Sequence, residues 1–178
     1  MPGVRLLGPA DAAAYRALRL DALQRHPCAF RASFDEEAGQ TLQEVAARLE
    51  ADAIFGAFCG RSCEGALCGL AGLEIPQVRN KRHKGVLFGV YVCPDRRRAG
   101  LGAALVSAVI EHARTRVDQL HAAVVVTAAP ARALYRKLGF RPYGLEPRAL
   151  KVGEAYFDQE LVVLPLDGQA MPDRPTDR

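Results

Sequence analysis

Val90-Tyr91-Val92-Cys93-Pro94-Asp95-Arg96-Arg97-Arg98-Ala99-Gly100-Leu101-Gly102 is the stretch on which the fold turns. Residues 85–92 form an apolar run of strand length, stopped by Pro94. Beyond the arginines, Leu101, Ala104, Leu105, Ala108 and His112 recur at helical spacing. The order is strand, basic glycine loop, helix. The first N–H groups of a helix have no intrahelical acceptor and carry the positive end of its dipole, so a loop in this place suits a phosphate. Gly100 and Gly102 let the main chain curl closely around an anion, and the arginines before them add charge-assisted contacts. A pyrophosphate or 3′-phosphate is the natural ligand; the bland alternative is a basic turn capped by glycines. A P-loop would need Gly-Lys-Ser/Thr, and a dinucleotide loop a third Gly or Ala where Leu105 stands.

Working outward, residues 4–7 read as an opening strand, and Asp11 as the N-cap of a helix with Ala14, Leu18 and Ala22 on one face. After Pro27 comes a loop holding Phe30, Phe34, Glu36 and Glu37. Thr41-Leu42-Gln43-Glu44 then forms a capping box ahead of a helix presenting Leu42, Val45 and Leu49. Residues 53–59 and 66–75 read as an antiparallel strand pair joined at Gly60-Arg61-Ser62. Downstream, residues 121–126 are a further strand, and Pro130 and Gly139 bracket a short helix. A hairpin around Gly153 joins residues 148–151 to 155–164. Hairpins combined with two strand-to-helix crossovers predict an α/β (α+β mixed) fold: a mixed, mostly antiparallel sheet of six to seven strands with helices on both faces. Residues 1–166 form one domain without an internal linker, and residues 167–178 a disordered tail.

Composition narrows the function. A chain of 178 residues with 49% apolar and 25% charged residues matches one globular domain that needs no staples. No apolar run approaches the roughly 20 residues that cross a bilayer, and nothing behind Met1-Pro2-Gly3-Val4-Arg5 resembles a signal core, so no membrane partner and a cytoplasmic location are expected. Cys28, Cys59, Cys63, Cys68 and Cys93 are odd in number and read as buried thiols; Cys59, Cys63 and Cys68 lack zinc-site spacing, so no metal is expected. A net charge of +4 resides mainly in two clusters, Arg79, Lys81, Arg82, His83 and Lys84, then Arg96, Arg97 and Arg98. With aromatics at 7% and no Trp to stack bases, nucleic acid is not the expected partner.

The strand, the pattern Arg97-Arg98-Ala99-Gly100-Leu101-Gly102 and the helix after it resemble the GCN5-related N-acetyltransferase family, whose signature is Arg/Gln-x-x-Gly-x-Gly/Ala in that setting. Leu134-Tyr135-Arg136-Lys137-Leu138-Gly139-Phe140 resembles a second element of the family, in the right order. The likeness covers residues 4 to about 164, and the text from Gly144 to Lys151 looks like a bacterial subgroup. It implies acetyl coenzyme A as acetyl donor. Arg97, Arg98, Ala99, Gly100, Leu101, Gly102 and Ala103 would hold the pyrophosphate, and the edge of Val90, Tyr91 and Val92 would pair with the pantetheine arm like an added strand. A bulge typical of that strand would aim one N–H at the thioester carbonyl. Tyr135 takes the position of the general acid for the departing thiolate; otherwise it would be a core aromatic. One departure stands out: Ala128 occupies a position where the family often has Asn, a cofactor contact that Arg132 could replace.

An attacking amine must be neutral and therefore needs a base. Glu36 and His83 rank first, ahead of Glu37 and Glu74. The expected reaction is direct transfer to a primary amine, on a small molecule or a peptide, in a ternary complex; Cys93, without an activating histidine, is structural rather than a nucleophile. The alternative left open is a non-catalytic acyl-coenzyme A sensor or protein-interaction module on the same fold. The resemblance also allows a homodimer through the late strands.

Overall fold

The computed structural model describes residues 3–59 and 65–168. The elements are β1 (Gly3–Leu6), α1 (Ala12–Arg25), α2 (Phe34–Ala38), α3 (Leu42–Ala51), β2 (Ala53–Phe58), β3 (Leu67–Glu74), β4 (Lys84–Val92), α4 (Leu101–Ala113), β5 (Gln119–Val125), α5 (Ala129–Lys137), β6 (Arg141–Val152) and β7 (Ala155–Pro165). The strands are ordered β1-β2-β3-β4-β5-β7-β6. β4 and β5 run parallel; β1–β2, β2–β3, β5–β7 and β6–β7 are antiparallel. This is the mixed, mostly antiparallel seven-stranded sheet that the hairpins and crossovers predict. Contacts divide the chain into two compact units, one of Met1–Glu74 with Leu87–Ile110, the other of Ile75–Val86 with residues from Glu111 onward. β4 and α4 each contribute to both.

In the first unit, β2 and β3 are buried along nearly their whole length. Their core includes Leu7, Tyr15, Leu18, Leu23, Val45, Leu49, Ile54, Phe58, Leu70 and Tyr91. Each such large apolar side chain contributes roughly 1.5–3 kcal/mol by leaving water. α1 turns Ala12, Tyr15, Leu18, Arg19, Ala22 and Leu23 inward. Ala14, expected on that face, is exposed, and the next residue, Tyr15, is the one turned inward. Arg19 is buried with its charge answered by Glu37, whose carboxylate accepts from Nε at 2.9 Å and Nη2 at 2.8 Å. Arg48 stands 3.6 Å from the same carboxylate.

Thr41 and Glu44 form the expected capping box, with Thr41 Oγ1 accepting from the Glu44 N–H; Leu42 is exposed, so α3 packs through Val45 and Leu49, with Ala46 partly buried beside them. Asp11 does precede α1, but its side chain does not cap it. The carboxylate accepts from the N–H of Gly8 and from both terminal nitrogens of Arg5, closing the turn before the helix. The expected loop at 34–38 is the short helix α2, started by a second box in which Ser33 and Glu36 cap each other. The expected turn at Gly60-Arg61-Ser62, Cys63, and the tail from residue 169 on lie outside the described residues.

In the second unit, β7 lies between β5 and β6 and buries Val162 and Val163. α5 ends at a left-handed glycine, Gly139 (φ 92°), as its position after Leu138 predicts. The β6–β7 hairpin turns at Gly153 (φ 58°). Leu166 and Asp167 donate their N–H groups to the Asp118 carbonyl, holding the chain just beyond β7.

Candidate functional site

The end of β4 and the start of α4 set up an anion-binding loop in the first unit. After Pro94, one short turn is closed by the Arg96 N–H to Cys93 O and the Arg97 N–H to Pro94 O. The chain then enters the left-handed region at Arg98 (φ 66°) and again at Gly100 (φ 79°). The first α4 bond runs from the Ala104 N–H to Gly100 O at 3.0 Å. The N–H groups of residues 98–103 find no acceptor among the described residues, and residues 96–100 are exposed. A run of outward N–H donors at a helix start, with left-handed residues bending it into a concavity, is a nest for a polyanion such as a pyrophosphate. At Gly100 a side chain would meet no atom within 4 Å, so the glycine serves the backbone angle.

Leu87–Val92 forms one edge of the sheet within this unit, with β3 on its inner side. Inside the strand, Gly89 departs from extended geometry (φ 64°), the conformation used by glycine bulges. A Cβ there would lie 3.5 Å from Arg19 Nη1, so the buried guanidinium sits directly behind the bend. Val90 and Val92 are half-buried, whereas Tyr91 is buried and points into the core. Its hydroxyl donates to Asp21 Oδ2 at 3.0 Å. Burial first, then the Asp21 carboxylate, pushes the Tyr91 phenol up to about 12. Any contact that Tyr91 makes with a ligand at this edge must use its main chain.

Arg97 is drawn back against the strand. Its Nε donates to Val92 O at 3.0 Å and its Nη2 to His26 Nε2 at 2.9 Å, while the guanidinium lies 5.9 Å from the Tyr91 ring centroid. His26 closes α1 as its C-cap, its N–H bonded to Ala22 O, and no signal in the sequence links it to residue 97. Burial first, then Arg97, lowers the His26 pKa below its ordinary value. The thiol of Cys93 is raised by burial first and then by Asp95 and Asp21, so it is protonated at neutral pH. That suits a structural cysteine.

The base candidates have different surroundings. Glu36 is exposed and already employed: its Oε2 accepts from the Ser33 N–H at 2.8 Å and from the Ser33 hydroxyl at 2.9 Å. Those bonds lower its pKa and make it a weaker base. Glu37 is the buried partner of Arg19, and Glu74 pairs with Arg31. His83, in the second unit, is exposed; its carbonyl accepts from the N–H groups of Asp118 and Gln119, and its imidazole has no partner among the described residues.

Tyr135 lies on the inner face of α5, 6% exposed, with its ring 5.4 Å from that of Phe140. Burial raises its pKa, and among the described residues its hydroxyl has no hydrogen-bond partner. Ala128 is the N-cap of α5 and offers no side-chain cap. Arg132 is not free to replace the missing Asn: Nε and Nη2 pair with Glu160 at 3.1 and 2.9 Å, and Nη1 donates to Val126 O. This ion pair borders an open cavity of about 400 Å³ with Tyr143 and Leu145 on its walls. Arg132 and Glu160 satisfy each other there, and the Tyr143 hydroxyl lies 3.2 Å from His121 Nδ1. Among the described residues no group of three or more His, Cys, Asp or Glu is arranged to hold a metal ion, and no helix is long and apolar enough to cross a membrane.

The sequence profile of the Acetyltransferase (GNAT) family matches residues 19–140. No curated protein sequence matches the chain. Among solved structures, the yncA protein of Salmonella typhimurium, determined with its cofactor acetyl-CoA, superposes with a TM-score of 0.81 at 23% identity, over 97% of this chain and 98% of that one. A phosphinothricin acetyltransferase of Sinorhizobium meliloti in complex with acetyl-CoA gives 0.78 at 20% identity, over 93% and 88%. A ribosomal-protein-alanine N-acetyltransferase of Brucella melitensis gives 0.74 at 24%, over 92% and 99%. At such identities these likenesses establish the fold. Joined to the profile match, which runs from α1 through the glycine loop to Phe140, they place the chain in the GNAT family of acetyltransferases.

Proposed function

We propose that residues 1–166 act as one cytoplasmic acetyltransferase domain that moves an acetyl group from acetyl-CoA to a primary amine of a small molecule or peptide, by direct attack within a ternary complex. The observation that carries this reading is the run of acceptorless N–H groups at residues 98–103, bent by Arg98 and Gly100 at the start of α4. It has the donors, the curvature and the exposure that a pyrophosphate requires. Arg97, Arg98, Ala99, Gly100, Leu101, Gly102 and Ala103 hold that group. The main chain of Val90, Tyr91 and Val92 offers the strand edge to the pantetheine arm. Acetyl-CoA supplies an activated thioester, and the distortion at Gly89 supports an N–H aimed at its carbonyl.

Tyr135 is the general acid. Its raised pKa keeps the hydroxyl protonated, the form that donates to a departing thiolate. His83 is favoured as the base over Glu36, whose carboxylate is engaged at the start of α2. The test is thiol release from acetyl-CoA with a panel of polyamines, amino acids and lysine peptides. At least one amine should accelerate release, and Tyr135→Phe should lower kcat by about a hundredfold while leaving acetyl-CoA affinity unchanged. Binding of acetyl-CoA without release on any amine would favour the sensor alternative instead.

A further inference from the structure

We propose that His26 is a positioning residue for Arg97, and that protonation of its imidazole releases the arginine and weakens coenzyme binding. This rests on the reading of residues 97–103 as the pyrophosphate loop. A guanidinium can only donate hydrogen bonds, so the 2.9 Å contact between Arg97 Nη2 and His26 Nε2 requires a neutral imidazole with its proton on Nδ1. The second tether, Arg97 Nε to Val92 O, holds the same edge of the guanidinium. Nη1 is left without a partner among the described residues and available to an anion.

His26 is itself held. Its N–H bonds to Ala22 O at the end of α1, and its ring lies 6.0 Å from that of Tyr91, which in turn donates to Asp21. The last turn of α1 is thus tied to β4 and, through His26, to the first residue of the loop. The charged and titratable groups around the imidazole are Asp21 and Arg25 from α1, Tyr91 from β4 and Arg97 from the loop. Arg25 is paired with Asp21, so Arg97 is the cation that bears on His26 most directly. Adding a proton to Nε2 deletes the acceptor and sets two like charges against each other at contact distance. Arg97 then swings away on its one remaining tether, and coenzyme affinity falls as pH drops through the His26 titration.

Two measurements on the full chain decide this. In the first, His26 is titrated by NMR without ligand, in wild type and Arg97→Ala. The account expects the Nδ1–H tautomer in wild type and a titration midpoint that rises when Arg97 is removed; an unchanged midpoint overturns it. In the second, the acetyl-CoA dissociation constant is measured by calorimetry between pH 5.5 and 8. His26→Ala should weaken binding roughly fivefold at pH 8 in the wild-type background and not at all in the Arg97→Ala background. His26→Gln, whose amide oxygen can accept from Arg97, should bind like wild type at pH 8 and lose less affinity than wild type toward pH 5.5, keeping only the change due to protonation of the coenzyme's own phosphate. Equal losses in both backgrounds, or a pH dependence in His26→Gln as steep as in wild type, would overturn the positioning role. If wild type binds no acetyl-CoA, the coenzyme reading fails, and the NMR titration alone decides whether His26 holds Arg97.

Discussion

Glu36 and Glu37 are adjacent in sequence, yet one is an exposed helix cap and the other is sealed against Arg19, with both side chains of that pair only 7% exposed. Removing one member of a buried pair leaves the other charge without compensation, at a cost of about 3–5 kcal/mol. Glu37→Ala should therefore lower the unfolding free energy by about that much in urea titrations, whereas Glu36→Ala, which removes one exposed reciprocal cap, should cost far less. Equal losses at the two positions would contradict the contrast.

Gly89 gives a second prediction. Its left-handed angle costs a residue with a Cβ about 1–2 kcal/mol, and the new methyl would lie against Arg19. Gly89→Ala should lower the thermal midpoint by roughly 2–8 °C for a chain of this length. It should also perturb acetyl transfer more than Gly139→Ala, which strains α5 at its exit and leaves β4 intact.

The pH dependence of stability follows from the direction of the shifts. His26, His112 and His121 are all lowered, in each case chiefly by burial, so the unfolded chain binds their protons more readily than the folded one. Stability from these groups is fully present above their ordinary value of 6.5 and is lost as pH falls below it. Asp11, Asp21 and Glu160 are lowered mainly by hydrogen bonds from Arg5, Arg25 and Arg132, so their contribution persists above the ordinary carboxylate range and is lost on further acidification. The urea midpoint should decline from pH 7.5 to pH 5 and again below pH 4. A midpoint that rises toward pH 5 would refute the histidine assignment.

Ala128→Asn is expected to be a gain. The position is the uncapped N-cap of α5, and a capping side chain adds about 0.5–1 kcal/mol. The same change restores the amide that the family often carries there. Denaturation should show modest stabilisation without ligand, and calorimetry tighter acetyl-CoA binding.

Much of this was legible in the sequence because the decisive features are local. Arg97, Gly100 and Gly102 declare the loop by their place between an apolar run and a helical repeat, and Thr41 with Glu44 declares α3. Ser33 and Glu36 carry the same spacing as Thr41 and Glu44 and could have revealed α2; the competing signal was the loop-like text after Pro27. What stayed hidden depends on pairing across the chain. Nothing in the text around Glu37 shows that Arg19 will neutralise it, and nothing around Arg132 shows that Glu160 will engage it. His26 and Arg97, 71 positions apart, meet only because α1 packs on β4. Glu36, by contrast, is engaged locally, by Ser33 three residues before it.

The central claim is that the loop of residues 97–103 holds acetyl-CoA by its pyrophosphate, and thermal unfolding with and without the coenzyme tests it most directly. At about 100 times the dissociation constant, the ligand should stabilise wild type by about 2.7 kcal/mol, a midpoint rise of about 5–10 °C. Gly100→Glu, which puts a negative side chain into open space at the nest, should abolish that rise. A wild-type midpoint that does not move, or a Gly100→Glu variant that shifts as far as wild type, would contradict the assignment.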